Sequence, residues 1–122
     1  MKQVKVGLIG ANWMGSFHSV GLNNVRQAYH DVDPVFEHVA DVNEAAAKLA
    51  TDWHDVVNDP EVDLVIIATP NFTHAEIAIA AAEAGKHILC EKPMANTLAE
   101  GKAMVEAIEK AGVKSLVDFI YT

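Results

Sequence analysis

Val6-Gly7-Leu8-Ile9-Gly10-Ala11-Asn12-Trp13-Met14-Gly15 runs from a short apolar strand directly into a glycine-punctuated turn. That order is the entry to a dinucleotide-binding unit, in which a tight bend lets backbone approach a pyrophosphate at a helix N-terminus. Gly10 and Gly15 match the pattern G-x-G-x-x-G, while Asn12 stands at the middle glycine. Asparagine tolerates unusual backbone angles, and its amide can donate to phosphate. Trp13 either packs over a ligand or starts the helix as core, and Met14 lines the same turn. Taken alone, the segment reads equally well as an ordinary strand-to-helix connection, so the rest of the chain decides.

Outward from this turn, apolar runs alternate with helical patterns. Residues 4–9 read as a buried strand, and 14–28 as a helix with Met14, Phe17, Leu22 and Val25 on one side. Residues 35–40 read as a second strand, 43–50 as an alanine-rich helix, and 55–57 as a short third strand before the turn chemistry of Asn58-Asp59-Pro60. The β-branched run Asp63-Leu64-Val65-Ile66-Ile67-Ala68 predicts a strand covered on both faces. Thr73-His74-Ala75-Glu76 and Thr97-Leu98-Ala99-Glu100 both have capping-box spacing, with Gly85 and Gly112 closing the respective helices. Strands at 87–90 and 115–119 complete the series. This rhythm predicts an α/β fold: a doubly wound, mainly parallel sheet of six strands with helices on both faces.

Composition narrows the class of ligand. A chain of 122 residues, 51% hydrophobic, suits one domain with a real core. The formal charge of −8 disfavours nucleic acid and anionic membranes as partners. A dinucleotide remains compatible, because helix N-termini bind phosphate without lysines. A single cysteine, Cys90, excludes an internal disulfide and fits a reducing compartment, and the N-terminal apolar run is too short for a signal or a span. The expected location is the cytoplasm. No histidine spacing matches a metal site, so none is expected.

Three further segments carry candidate chemistry. Asp41 ends the second strand, where a carboxylate can accept from adenosine ribose hydroxyls and repel a 2′-phosphate; this favours NAD over NADP, the alternative being a helix cap. Thr69, Pro70 and Asn71 follow the strand at 63–68 and would line the ribose side of the crevice. His74 either contacts the nicotinamide end or serves locally as a cap or solvated residue. Glu91, Lys92 and Pro93 follow the next strand. The lysine can hold a carboxamide, a ribose or a substrate hydroxyl, with Pro93 directing it through a cis peptide, or Glu91 and Lys92 are a solvated pair. Cys90 reads as a small buried strand residue rather than a nucleophile.

Gly7-Leu8-Ile9-Gly10, Ala68-Thr69-Pro70-Asn71 with His74, Glu83-Ala84-Gly85-Lys86-His87 and Cys90-Glu91-Lys92-Pro93-Met94 together resemble the Gfo/Idh/MocA family of oxidoreductases, over essentially the whole chain. Thr-Pro-Asn-x-x-His followed about twenty residues later by Glu-Lys-Pro is far more specific than the glycine turn. The resemblance implies an N-terminal Rossmann domain that binds NAD(P) and serves hydride transfer at a hydroxyl carbon of a sugar or cyclitol. By the same resemblance Lys92 is the lysine near nicotinamide and substrate, and Gly10, Asn12, Gly15, Asp41, Thr69, Asn71 and His74 fall on cofactor-lining positions. Two departures stand out: Asn12 itself, and Ile120 and Thr122, which replace a polar pair within Asp118-Phe119-Ile120-Tyr121-Thr122.

Residues 1–122 are therefore expected to form the dinucleotide domain, without the second domain that supplies substrate specificity and acid–base groups in the family. Such a chain is expected to bind cofactor with little turnover of its own. The competing expectation is a non-catalytic nucleotide-binding or scaffold module, with self-association through the face a second domain would cover.

Overall fold

Parallel strands dominate the computed structural model, which describes residues 2–10, 32–40 and 52–118. The strands are β1 (Lys2–Ile9), β2 (Val32–Ala40), β3 (Leu64–Ile67), β4 (His87–Glu91) and β5 (Ser115–Asp118). They form one all-parallel sheet in the order β2-β1-β3-β4-β5. The apolar runs explain the pairing: alternate residues of β1 and β3 are buried on opposite faces. Ile9, Val65, Ile67, Ile88 and Cys90 join one core cluster, and Val6, Leu8 and Ile66 the other. Burial on both faces is the signature of a parallel sheet, which cannot leave one side to water. Pro34 is accommodated because β2 is the outer strand of this order.

The helices are α1 (Trp53–Val57), α2 (His74–Glu83) and α3 (Leu98–Ala111). The alanines of α2, Ala75, Ala78, Ala81 and Ala82, are buried and let it approach the sheet closely. Its C-terminus closes as expected: Gly85 has φ +79, the Gly85 N–H donates to Ala82 and the Lys86 N–H to Ala81. Lys86 then buries its stem and donates from Nζ to the carbonyl of Asp59 at 2.7 Å, tying α2 to the loop before β3.

Three sequence expectations are corrected. Residues 55–57 belong to helix α1, so the sheet has five strands among the described residues rather than six. Two valines resemble the core of a strand, but the Asp52 carboxylate accepts from the His54 N–H at 2.9 Å and starts a helix. The Thr73–Glu76 capping box is absent, since a 3-10 turn at Asn71–Thr73 precedes α2 and Thr73 makes no capping bond. At α3 the Thr97 hydroxyl does accept from the Glu100 N–H at 3.1 Å, but the Glu100 carboxylate reaches back to the Asn96 N–H, not to Thr97. The helices expected at 14–28 and 43–50 lie outside the described residues.

Candidate functional site

The order β2-β1-β3 places β1 at the switch point, where the chain departs to one side for β2 and to the other for β3. In open parallel sheets the crevice outside the carboxyl ends at this point receives ligands. Register fixes what stands there. Ala40, Ile9, Ile67, Cys90 and Val117 share one row across the sheet. The next residues along β1, β3 and β4 are Gly10, Ala68 and Glu91, so the three candidate loops leave the same edge at the same level.

Gly10 and the Thr69 loop touch. Gly10 has φ +91, and a Cβ at that position would fall 2.4 Å from the Ala68 carbonyl oxygen and 3.1 Å from the Thr69 nitrogen. Glycine is thus required twice over, by conformation and by the close approach of β3's exit. The Ala68 N–H donates to the Ile9 carbonyl at 2.8 Å and locks the two exits together. Asn12, Trp13, Met14, Gly15 and Asp41 lie outside the described residues.

The Thr69–Thr73 turn has a definite hydrogen-bond polarity. Thr73 Oγ1 donates to the Pro70 carbonyl at 2.7 Å, which uses its only proton. In its 2.6 Å contact with Thr69 Oγ1, Thr73 is therefore the acceptor and Thr69 the donor. The half-buried Thr69 hydroxyl then has only lone pairs to offer a ligand. Beside it, Pro70, Asn71 and Phe72 are exposed.

His74 is placed differently from the sequence expectation of a cofactor contact. Its side chain is fully buried. Nε2 lies 2.8 Å from the Thr69 carbonyl oxygen and Nδ1 2.9 Å from that of Pro93. With no exposed surface and both nitrogens engaged, it bonds to the loops themselves. In place of a surface contact, the structure shows a buried bridge between the Thr69 and Pro93 loops.

Glu91 is buried at the end of β4, while Lys92 and Pro93 are exposed beyond it, and the Lys92–Pro93 peptide is cis, as expected. Cys90 is buried, and its thiol donates to the Glu91 carbonyl at 3.4 Å. Burial first, and the neighbouring Glu91 carboxylate second, push its pKa up to about 12. A thiol so reluctant to ionise is no nucleophile. Among the described residues no cluster of histidine, cysteine and carboxylate side chains suits a metal.

Residues 4–119 match the family described as "Oxidoreductase family, NAD-binding Rossmann fold", GFO_IDH_MocA. The chain belongs to the Gfo/Idh/MocA family. Levoglucosan dehydrogenase of Pseudarthrobacter phenanthrenivorans is 43% identical over 99% of this chain and 34% of its own length. Inositol 2-dehydrogenase of Salmonella typhimurium is 38% identical over 89% of this chain and 34% of its own. A solved structure of levoglucosan dehydrogenase in complex with NADH and levoglucosan superposes with a TM-score of 0.88, at 41% identity, over 95% of this chain and 34% of that one. The chain thus spans about a third of the length of these relatives. It corresponds to the NAD-binding Rossmann domain of the family.

The described residues fit a dinucleotide. A Gfo/Idh/MocA domain needs close backbone approach at the first turn and a mixed donor–acceptor set on the nicotinamide side. Gly10, the Thr69 hydroxyl, the Asn71 amide and the Lys92 side chain supply both. Position after β3 and the resemblance both suggested His74; only the fold reveals that its partners are main-chain carbonyls.

Proposed function

We propose that this domain serves an NAD-dependent dehydrogenase acting on a hydroxyl carbon of a sugar, cyclitol or similar polyol. The observation that supports the reading is the common exit of the Gly10, Thr69–Asn71 and Glu91–Pro93 loops at the switch point. Relatives named for levoglucosan and inositol support a polyhydroxylated ring as substrate. The bound nicotinamide supplies the hydride acceptor or donor. On this reading Gly10, Asn12, Trp13, Met14 and Gly15 form the pyrophosphate turn, and Asp41 accepts from the adenosine ribose. Thr69, Pro70 and Asn71 line the crevice, with Thr69 accepting from a hydroxyl or carboxamide of the cofactor. Glu91 and Pro93 set the loop from which Lys92 orients nicotinamide and substrate as the catalytic residue.

A lysine ammonium has no lone pair to accept the proton that must leave the substrate hydroxyl. Turnover therefore requires a further group, and residues 1–122 act as a binding domain. A scaffold role finds its support in Leu98, Val105 and Leu116, which expose apolar surface along α3 and β5. Self-association through that face fits the same observation, and sedimentation across a range of concentrations tests it. The acidic charge and single cysteine support a cytoplasmic protein without nucleic-acid or membrane partners; among the described residues no helix is long and apolar enough to cross a membrane.

Thermal denaturation with and without ligand tests the main reading. NADH at a hundred times its Kd adds about 2.7 kcal/mol by mass action, and NADPH should add less because Asp41 opposes its 2′-phosphate. An unchanged Tm at millimolar NAD(H) and NADP(H) removes the cofactor reading.

A further inference from the structure

The β3–β4 ladder ends at Ile67 and Cys90, and beyond it the two chains diverge into the Thr69 turn and the Lys92–Pro93 turn. The His74 imidazole spans that gap. It rises from the first residue of α2, is fully buried, and reaches the Thr69 carbonyl with one nitrogen and the Pro93 carbonyl with the other. A carbonyl oxygen only accepts, so a ring nitrogen that carries a proton donates to the loop it faces, and the other lies against the second loop. The ring is rigid and its two nitrogens point to opposite ends. No amide side chain bridges two acceptors in this way, because both of its N–H groups sit on a single nitrogen.

We propose that His74 is a positioning residue for the nicotinamide half of the site, acting without contact to cofactor or substrate. It fixes the spacing between the loop that carries Thr69 and Asn71 and the loop that carries Lys92. This inference rests on the cofactor reading and adds a division of labour to it. On that reading the adenosine half belongs to the exits of β1 and β2, whereas among the described residues the His74 ring bonds only to the loops that follow β3 and β4. Loss of the bridge should therefore weaken recognition of one half of the dinucleotide only.

The test compares NADH and AMP binding to the full 122-residue chain by titration calorimetry, for wild type, His74→Leu and His74→Gln. His74→Leu fills the space but removes the ring nitrogens that face the Thr69 and Pro93 carbonyls, and should weaken NADH about tenfold or more while leaving AMP within about twofold. His74→Gln retains one donor and should fall between leucine and wild type. Far-UV circular dichroism and Tm report folding separately; if the leucine variant does not fold, the glutamine variant carries the comparison. Equal weakening of NADH and AMP, or an unchanged NADH affinity in folded variants, overturns the positioning role. A wild-type chain that binds neither ligand removes the cofactor reading and this role with it, whereas wild-type binding with an unaffected variant removes this role alone.

Discussion

Replacing Gly10 with alanine strikes the contact on which the switch-point crevice depends. The backbone there has φ +91, a region L-residues rarely adopt, and the new Cβ would lie 2.4 Å from the Ala68 carbonyl oxygen and 2.7 Å from its carbon. Ordinary contacts between heavy atoms are about 3.5 Å, so the gap must open by about 1 Å. The obstacle is main chain held by the Ala68-to-Ile9 hydrogen bond, so it cannot rotate aside as a side chain would. Strained backbone costs about 1–3 kcal/mol and overpacking about 1–3 kcal/mol more, giving a loss of about 2–6 kcal/mol. That is a large part of a stability of about 5–15 kcal/mol.

Urea unfolding followed by circular dichroism measures this loss, and NADH titration of the folded fraction reports the accompanying shift of the Thr69 loop. Gly7→Ala supplies the control. Its Cβ would also meet a neighbour at 2.4 Å, but that neighbour is Val56 Cγ1, and φ at Gly7 is not positive. A second substitution, Val56→Ala, should therefore restore part of the stability that Gly7→Ala loses relative to the Val56→Ala single variant. No side-chain truncation should rescue Gly10→Ala. The reasoning fails if Gly10→Ala stays within about 0.5 kcal/mol of wild type, the range of a neutral surface change.

Other perturbations follow from single features. Thr97→Ala removes the hydroxyl that accepts the Glu100 N–H and should cost about 1 kcal/mol in urea unfolding, whereas Thr97→Asn should cost far less. With its pKa pushed up to about 12, the Cys90 thiol should resist alkylation at pH 8 until urea unfolds the chain; rapid stoichiometric labelling of the native protein would contradict its burial. The Asp52 carboxyl is held below its ordinary 3.8 by the His54 backbone N–H and then the His54 side chain. Its contribution is therefore present above pH 3.8 and lost as pH falls through the lower folded value, so the Tm gap between wild type and Asp52→Ala should narrow between pH 6 and pH 3.

The strands of this domain are legible because β-branched apolar runs bounded by polar residues have few alternatives in a chain of this length. Leu64–Ile67 and His87–Glu91 stand where those runs stand. The segment 55–57 misled because Val56 and Val57 satisfy a strand as well as a helix, and besides the local Asp52 cap a contact distant in sequence favours the helix. Val56 packs over Gly7 of β1, where a strand residue with a side chain would collide with it. Gly7, which reads only as one residue of the strand before the phosphate turn, thus makes room for α1. A local pattern cannot report such a trade, because its partner is some fifty residues away.

Identities were more legible than geometry at the site. Strand order and the resemblance together singled out Thr69, Asn71, His74 and Lys92, and the sheet brings their loops to one edge. Yet the sequence leaves His74 as either a nicotinamide contact or a capping or solvated residue, while the structure buries it between carbonyls of Thr69 and Pro93. Main-chain acceptors carry no sequence signature, so every residue type at positions 69 and 93 presents nearly the same oxygen. The same limit hid the polarity of Thr69, whose proton is committed to Thr73 only because Thr73 has given its own to Pro70. In this domain residue type picks out candidate loops, and hydrogen bonds to the main chain determine what those loops can offer a ligand.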